Sequence, residues 1–283
     1  MAESKWARGS NQYVKRPRTG TDRPEASFSL PTGAGRREAT GIHWDSGALR
    51  LDLLTRHSPD RALARLRNAL PSFVWDAAAL EGNTYTLPEV QTLLEGTTVG
   101  GRPVEDERQV LALRDAFALL DAFVRDGRYK LDKSTSDRLH AVVAEHEAIE
   151  SGHFRGEGRV GGGGLVSLGG LGSYRASDPG ANGGALLDEH RQLMDYLDTL
   201  TDPREQALAY FCAAARRQFY FDGNKRTARL MMNGHLMVHG YDAISIRAAR
   251  SAEFNEHLIA LFNTGDATAL MRFTIDCRTQ GGQ

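Results

Sequence analysis

Cysteine is almost missing from this chain: Cys212 and Cys277 are its only two in 283 residues. Two thiols cannot build a disulfide framework, and neither lies in a metal-type Cys-x-x-Cys spacing. No stretch approaches ~20 uninterrupted apolar residues, so a membrane span is excluded. The opening MAESKWARGSNQYVKRPRTG has no apolar core and no cleavage signal, so a secreted precursor is not expected. These absences point to a reducing, cytoplasmic compartment. An excess of one charge is missing too: 35 basic side chains face 36 acidic ones, for a net charge of −1, and no nucleic-acid partner is expected. There is no G-x-x-x-x-G-K-[ST] phosphate loop. Gly156-x-Gly158-x-x-Gly161 has dinucleotide-fingerprint spacing but lacks the preceding strand and following helix that the fingerprint requires.

What remains is an ordinary globular composition, 41% hydrophobic and 25% charged. Charge is uneven along it. Residues 1–40 hold eight Lys/Arg and four Asp/Glu, so this end is +4 and the rest −5. That segment shows no hydrophobic period and buries too little apolar surface to offset its ordering entropy, so residues 1–42 read as a disordered basic tail.

Beyond it the pattern is helical. Ser58-Pro59-Asp60 starts a helix before ARLRNALPSFVW, and Thr86-Leu87-Pro88-Glu89 is a capping box that leads into VQTLLEG, stopped at Gly96. Val110, Leu113, Phe117, Leu120 and Val124 give residues 105–125 one apolar face. Further starts are expected at Ser134-Thr135-Ser136-Asp137, before DRLHAVVAEHEAI, and at Asp202-Pro203-Arg204-Glu205, before QALAYFCAAARRQF. Two more helices are expected around Thr227–His239 and Arg247–Asn263. Only Gly156–Gly184, with twelve glycines, resists this period and reads as a mobile loop or short hairpin. His235 and His239 stand at i, i+4 without a third ligand, and His146 and His153 straddle a helix end. Structural roles are expected for all four.

The informative stretch runs from Gln218 to Arg229: QFYFDGNKRTAR. An apolar helix enters a turn on Asp222-Gly223-Asn224, and a second helix leaves it with its free N–H groups and positive dipole end facing the turn. Arg226 and Arg229 project to nearly the same side, suited to phosphate, and Asp222 offers a hard oxygen to Mg²⁺. A plain helical corner with surface charges fits the residues equally well.

The string resembles the Fic/Doc ("Fido") signature H-x-F-x-[DE]-G-N-[GK]-R-x-x-R, matched at Asp222, Gly223, Asn224, Lys225, Arg226 and Arg229. Leu80-Glu81-Gly82-Asn83 resembles the inhibitory segment [ST]-x-x-x-E-[GN] of self-inhibited members. Gly152-His153-Phe154-Arg155 is similar to the G-x-[FY]-R stretch that leads into the family's substrate-docking flap. The resemblance implies a mainly α protein: a Fic-type helical bundle with a small β-hairpin flap. It divides the chain into the tail, an N-terminal helical segment with the inhibitory motif (43–104) and a Fic core (105–280).

The implied activity is AMP transfer from ATP to a protein Ser, Thr or Tyr hydroxyl. Asp222 would hold Mg²⁺. Gly223, Asn224 and Lys225 would frame the phosphate turn, and Arg226 and Arg229 would bind the phosphates. Glu81 would inhibit by pairing with Arg229. The partners implied are ATP and a protein target, with a homo-oligomer left open.

Three positions depart from the pattern. The motif histidine, general base of active members, is Gln218, whose amide has no useful basicity. The motif phenylalanine is Tyr220, and the inhibitory Ser/Thr position is Ala77. Lys225 also resembles the Doc branch, which phosphorylates its target. An adenylyltransferase weakened or silenced at Gln218, a nucleotide-binding pseudoenzyme acting through a protein partner, and a Doc-like phosphotransferase therefore all follow.

Overall fold

From Ala207 to Ala215 every residue is buried, so this segment has no solvent face and must run through the middle of the molecule. A computed structural model describes residues 33–278 and shows what surrounds it. In chain order the α-helices are α1 (Gly33–Thr40), α2 (Pro59–Asn68), α3 (Leu70–Ala79), α4 (Leu87–Leu94), α5 (Val104–Arg125) and α6 (Lys133–Val143). After a hairpin of β1 (Leu165–Ser167) and β2 (Ser173–Arg175) come α7 (Gly184–Leu197), α8 (Pro203–Arg217), α9 (Asn224–Val238), α10 (Ser251–Thr264) and α11 (Thr268–Asp276). The mainly helical architecture with a small hairpin is as expected.

Helices α8 and α9 form the central antiparallel pair. Alanines at 207, 209, 213, 214 and 215 keep α8 thin, and Leu230, Met231, Met232, Leu236 and Met237 of α9 are buried around it. Helix α5 packs on α9 through Leu113, Phe117 and Leu120, the face that its apolar spacing defines. Gly234 makes that approach possible, because a Cβ there would collide with the ring of Tyr129 and stand 2.8 Å from Leu120 Cδ1. The Tyr129 hydroxyl reaches past it to donate to the Met231 carbonyl at 2.5 Å.

The capping signals act as read. The Ser58 hydroxyl accepts from the Arg61 N–H at 3.2 Å, and the Glu89 carboxylate accepts from the Thr86 N–H at 2.7 Å. Asp202 accepts from the Arg204 N–H at 2.9 Å. The hairpin within the glycine-rich region is antiparallel, pairing Leu165 with Arg175, Val166 with Tyr174 and Ser167 with Ser173.

Four expectations need correction. Residues 33–40, read as tail, form α1, which the Arg36 guanidinium ties to the Tyr196 hydroxyl (2.7 Å) and the Trp44 carbonyl (2.5 Å); residues 1–32 lie outside the described region. Helix α6 is capped by Asp132 rather than Ser134, its carboxylate accepting from Thr135 N–H at 2.8 Å. It also stops at Val143, so Glu145–Ile149 lie in turns instead of a helix. Helices α7 and α11 had no counterpart in the sequence reading: α7 starts behind Gly183, whose φ of 69° hides its boundary inside the glycine run.

The histidine pair on α9 is structural, with His235 Nε2 at 2.8 Å from the Gln206 amide oxygen and His239 Nδ1 at 2.8 Å from the His235 carbonyl. Both cysteines are free and buried.

Alanine at Gly234 should therefore destabilise the protein by about 1–3 kcal/mol through overpacking, although glycine-to-alanine in an open helix stabilises by about 1. Urea unfolding of Gly234→Ala should show a lower midpoint with an unchanged slope.

Candidate active site

The site is the corner between α8 and α9, and its shape begins with backbone geometry. Helix α8 ends at Gln218, which adopts the left-handed conformation (φ 53°) that reverses the chain. Gly223 caps α9 with φ 70°; a Cβ there would sit 2.9 Å from Ala144 Cβ, so both the dihedral and the close approach call for glycine.

Asn224 staples the turn between them. Its Oδ1 accepts from the Tyr220 N–H at 2.8 Å, while its Nδ2 donates to the Tyr220 carbonyl at 2.8 Å and to Gln218 Oε1 at 3.2 Å. The asparagine side chain is therefore used up in framing the turn. The Gln218 amide is held as firmly, since its Nε2 donates to the Ala215 carbonyl at 2.6 Å.

Beneath the turn lies His140, stacked flat on Tyr220 with ring centroids 3.7 Å apart. Its Nδ1 accepts from the Gly152 N–H at 2.9 Å, so its Nε2 carries the proton and donates to the Asp222 carbonyl at 2.9 Å. Burial pushes the imidazole down to about 4, which keeps it neutral and in this tautomer near pH 7. Tyr220 keeps the aromatic anchor of the motif phenylalanine, and its hydroxyl is absorbed by Asp137 Oδ1 (2.9 Å) and Ser136 Oγ (2.7 Å).

The charged groups gather at the start of α9. Lys225 Nζ lies 2.9 Å from Glu81 Oε2, and Arg229 Nη2 lies 3.3 Å from Glu81 Oε1. Glu81 arrives on the turn that ends α3. That helix is also clamped by buried Asp76, whose carboxylate accepts from Ser245 Oγ (2.9 Å) and the Ala248 N–H (2.8 Å). Burial alone would raise the Glu81 carboxyl, but Lys225, Arg229 and Arg226 outweigh it and hold the group at about 2. Arg229 is buried, and among the described residues its Nη1 has no hydrogen-bond acceptor.

Arg226 is paired differently. Its two terminal nitrogens make a bidentate bond, 2.6 Å each, to the carboxylate of Glu147 in the turns after α6. Sequence reading missed Glu147, because nothing local relates it to Arg226, 79 residues away. Arg155, quoted above only as the end of the G-x-[FY]-R stretch, has a role that sequence reading missed: it is fully buried and donates to the carbonyls of Gln218 (2.6 Å), Gly162 (2.9 Å) and Ser177 (3.1 Å). One guanidinium thus fastens both flanks of the hairpin to the active corner. Glycines at 163 and 164 leave room for it.

Asp222 stands at the mouth of the corner, its side chain 47% exposed and 3.8 Å from Arg226 Nη2. Its Oδ1 accepts from the Gly223 N–H at 2.6 Å, and no described residue hydrogen-bonds its other oxygen. A single accessible carboxylate beside a helix N-terminus fits Mg²⁺ held jointly with phosphate oxygens. No group of three or more potential metal-ligating side chains occurs among the described residues, so phosphate or water would have to complete the shell.

With this geometry in place, comparison with known proteins is specific. Residues 106–236 match the Fic/DOC family. The chain is 29% identical over 229 residues to the protein adenylyltransferase Fic of Drosophila melanogaster, covering 78% of this chain and 43% of that protein. The corresponding Drosophila virilis protein is 30% identical, with 78% and 44% covered. The chain thus spans less than half the length of these relatives. Among solved structures, a Fic domain containing signaling protein from Bacteroides thetaiotaomicron superposes with a TM-score of 0.62 at 20% identity, covering 80% of this chain and 88% of that one. Fic-1 from C. elegans gives a TM-score of 0.63 at 21% identity, with 86% and 69% covered.

A carboxyl depressed to about 2 in the folded state, against an ordinary 4.5, stabilises the fold above the ordinary value and loses that contribution as pH falls toward 2. Glu81→Gln should therefore cost about 3 kcal/mol at pH 7, with the deficit shrinking once the pH drops below the unfolded value. Urea unfolding at a series of pH values from 7 to 3 checks this; a deficit independent of pH contradicts it.

Proposed function

Residues 106–236 give this chain a Fic/DOC family domain, and from that premise we propose that it is a protein adenylyltransferase, moving AMP from ATP to a Ser, Thr or Tyr hydroxyl of a protein target. The observation that carries the reading is the Glu81 carboxylate lodged between Lys225 and Arg229 at the start of α9. Paired cations at a helix N-terminus suit a polyphosphate, and an internal carboxylate in that place is what a self-inhibited form would contain. The unpartnered Nη1 of Arg229 adds one donor that a phosphate would satisfy.

The proposed roles follow from the geometry. Arg229 and Lys225 bind the terminal phosphates after Glu81 leaves. Gly223 lets phosphate approach the backbone, Asn224 holds the turn rigid, and Arg226 adds charge from beneath. Asp222 anchors Mg²⁺, which when bound would neutralise phosphate charge. The glycine-rich hairpin, hung from Arg155, lays the target segment beside the nucleotide. The acceptor oxygen then attacks the α-phosphorus, the bond to the bridging oxygen breaks and pyrophosphate leaves, with the hydroxyl proton passing to another base or to solvent because Gln218 cannot take it. No helix among the described residues is long and apolar enough to cross a membrane. The proposed compartment is the reducing cytoplasm, which suits two unpaired cysteines.

Gln218 supports a second reading. Its amide cannot take the hydroxyl proton and both of its ends are already bonded, so transfer should lack about 10²–10⁴ in rate. On that reading the chain binds nucleotide and acts through a protein partner. Lys225 keeps phosphate transfer open as a third outcome.

Histidine is among the residues that tolerate a left-handed backbone, so Gln218→His should fold. Incubated with a target lysate and ATP labelled at the α- or γ-phosphate, the Glu81→Gly, Gln218→His double variant should transfer α-label at least about 100-fold faster than Glu81→Gly alone. Transfer of γ-label instead would indicate phosphorylation. ATP binding with neither transfer would favour the binding protein.

A further inference from the structure

The corner holds two arginines one helical turn apart, and each has its own carboxylate. Arg229 is held by Glu81, on the turn after α3. Arg226 is held by Glu147, on the turns after α6. Glu147 takes one N–H from each terminal nitrogen of Arg226, Nη1 also lies 3.3 Å from the Val143 carbonyl, Nε has no acceptor among the described residues, and the side chain is only 2% exposed. A phosphate that engages the outer edge of Arg226 with both terminal nitrogens must displace Glu147, and one that takes the N–H of Arg229 Nη2 now given to Glu81 must displace Glu81.

The two carboxylates are physically connected. Two residues beyond Glu81, Asn83 donates from Nδ2 to the Asp106 carbonyl (2.9 Å) and to Gln109 Oε1 (2.9 Å). Gln109 in turn faces both Glu147 oxygens with Nε2, at 3.3 Å each. The orientation of this amide is determined by its neighbours. Turned over, it would set nitrogen against the Asn83 NH₂ and oxygen against a carboxylate, losing both interactions. The loop of residues 81–83 therefore grips α9 twice, directly through Glu81 and indirectly through Asn83, Gln109 and Glu147.

We propose that Glu147 is a second inhibitory latch, which withholds Arg226 from nucleotide phosphate and is coupled to the Glu81 latch through Asn83 and Gln109. The proposal rests on the polyphosphate-binding role given to this corner above and adds a regulatory element to it. Glu147 and Gln109 are positioning residues: they act through Arg226. Withdrawal of the 81–83 loop removes the Gln109 support as well as Glu81, so the two arginines are released together.

Titration calorimetry with ATP and Mg²⁺ on the full chain tests this. Glu147→Gln should tighten ATP binding about 5-fold or more, in the range of ordinary coupling between sites. Gln109→Ala, which touches neither arginine, should tighten it in the same direction by roughly 2-fold or more. The Glu81→Gly, Glu147→Gln double variant should gain less than the product of the two single gains, because opening one latch already loosens the other. Glu147→Gln strands a buried guanidinium and risks the fold. Glu147→Asp, which keeps the charge but shortens the reach, and Gln109→Ala, which strands no charge, therefore carry the test if it fails to fold.

Weaker ATP binding on substitution of Glu147 would make it a buttress and overturn the proposal. An unchanged affinity in Gln109→Ala would overturn the coupling. If Glu81→Gly binds ATP more tightly while substitutions at 147 and 109 change nothing, the second latch falls and the proposed function stands. If no variant takes up ATP, the polyphosphate reading itself falls and takes this one with it.

Discussion

The structure depends on how three neighbouring cations at the start of one helix are neutralised in a largely dry environment. Lys225, Arg226 and Arg229 all project from the first turns of α9, two of them buried. Unpaired, charges so placed would cost several kcal/mol each. They persist because carboxylates from two distant turns converge on them: Glu81 from the end of α3 and Glu147 from the end of α6. The bundle delivers these carboxylates. Helix α5 packs against α3, α6 and α9, and thereby sets the spacing of all three. What the bundle has assembled is a cluster of cations whose anionic partners are its own side chains, the arrangement on which the proposed polyphosphate site rests.

Rigidity of the corner comes from neutral hydrogen bonds rather than from the ion pairs. Asn224 closes the turn on Tyr220, and Gln218 caps its own helix and reaches Asn224. His140 supports the Asp222 carbonyl from below. Because burial keeps His140 uncharged, this support does not depend on a nearby counter-ion. Asp222 alone is left half open, at the mouth of the corner, where the proposed metal would sit.

Local signals in the chain were sufficient for much of this. Capping residues at 58, 86 and 202, the apolar face of α5 and the short signature from Asp222 to Arg229 all operate within a few residues, where periodicity and turn chemistry apply. The Glu81 pairing was reached only through resemblance to a family segment, since nothing local relates residue 81 to residue 229. The roles of Glu147, Arg155 and His140 were missed because each acts on a partner 63 to 82 residues away, Arg155 being recognised only as part of a short motif. They lie in stretches whose local pattern was misleading or silent: Glu147 where a helix ends early, Arg155 just ahead of the glycines that make room for it. Helix α1 was missed for a related reason. Its stability comes from Arg36 and its docking on α7, while its own composition reads as tail.

Arg155 has a mechanical consequence. Because one sequestered guanidinium grips the carbonyls of Gln218, Gly162 and Ser177, the root of the hairpin cannot swing independently of the corner it adjoins. Whatever freedom the arm has is confined to its far end, where two strands of three residues meet across the Gly169–Gly172 bend. Under the proposed function, an incoming polypeptide would meet a ruler with a fixed zero and a pliable tip. Differences in tip composition would alter which chains are accepted without moving the point from which the distance is measured.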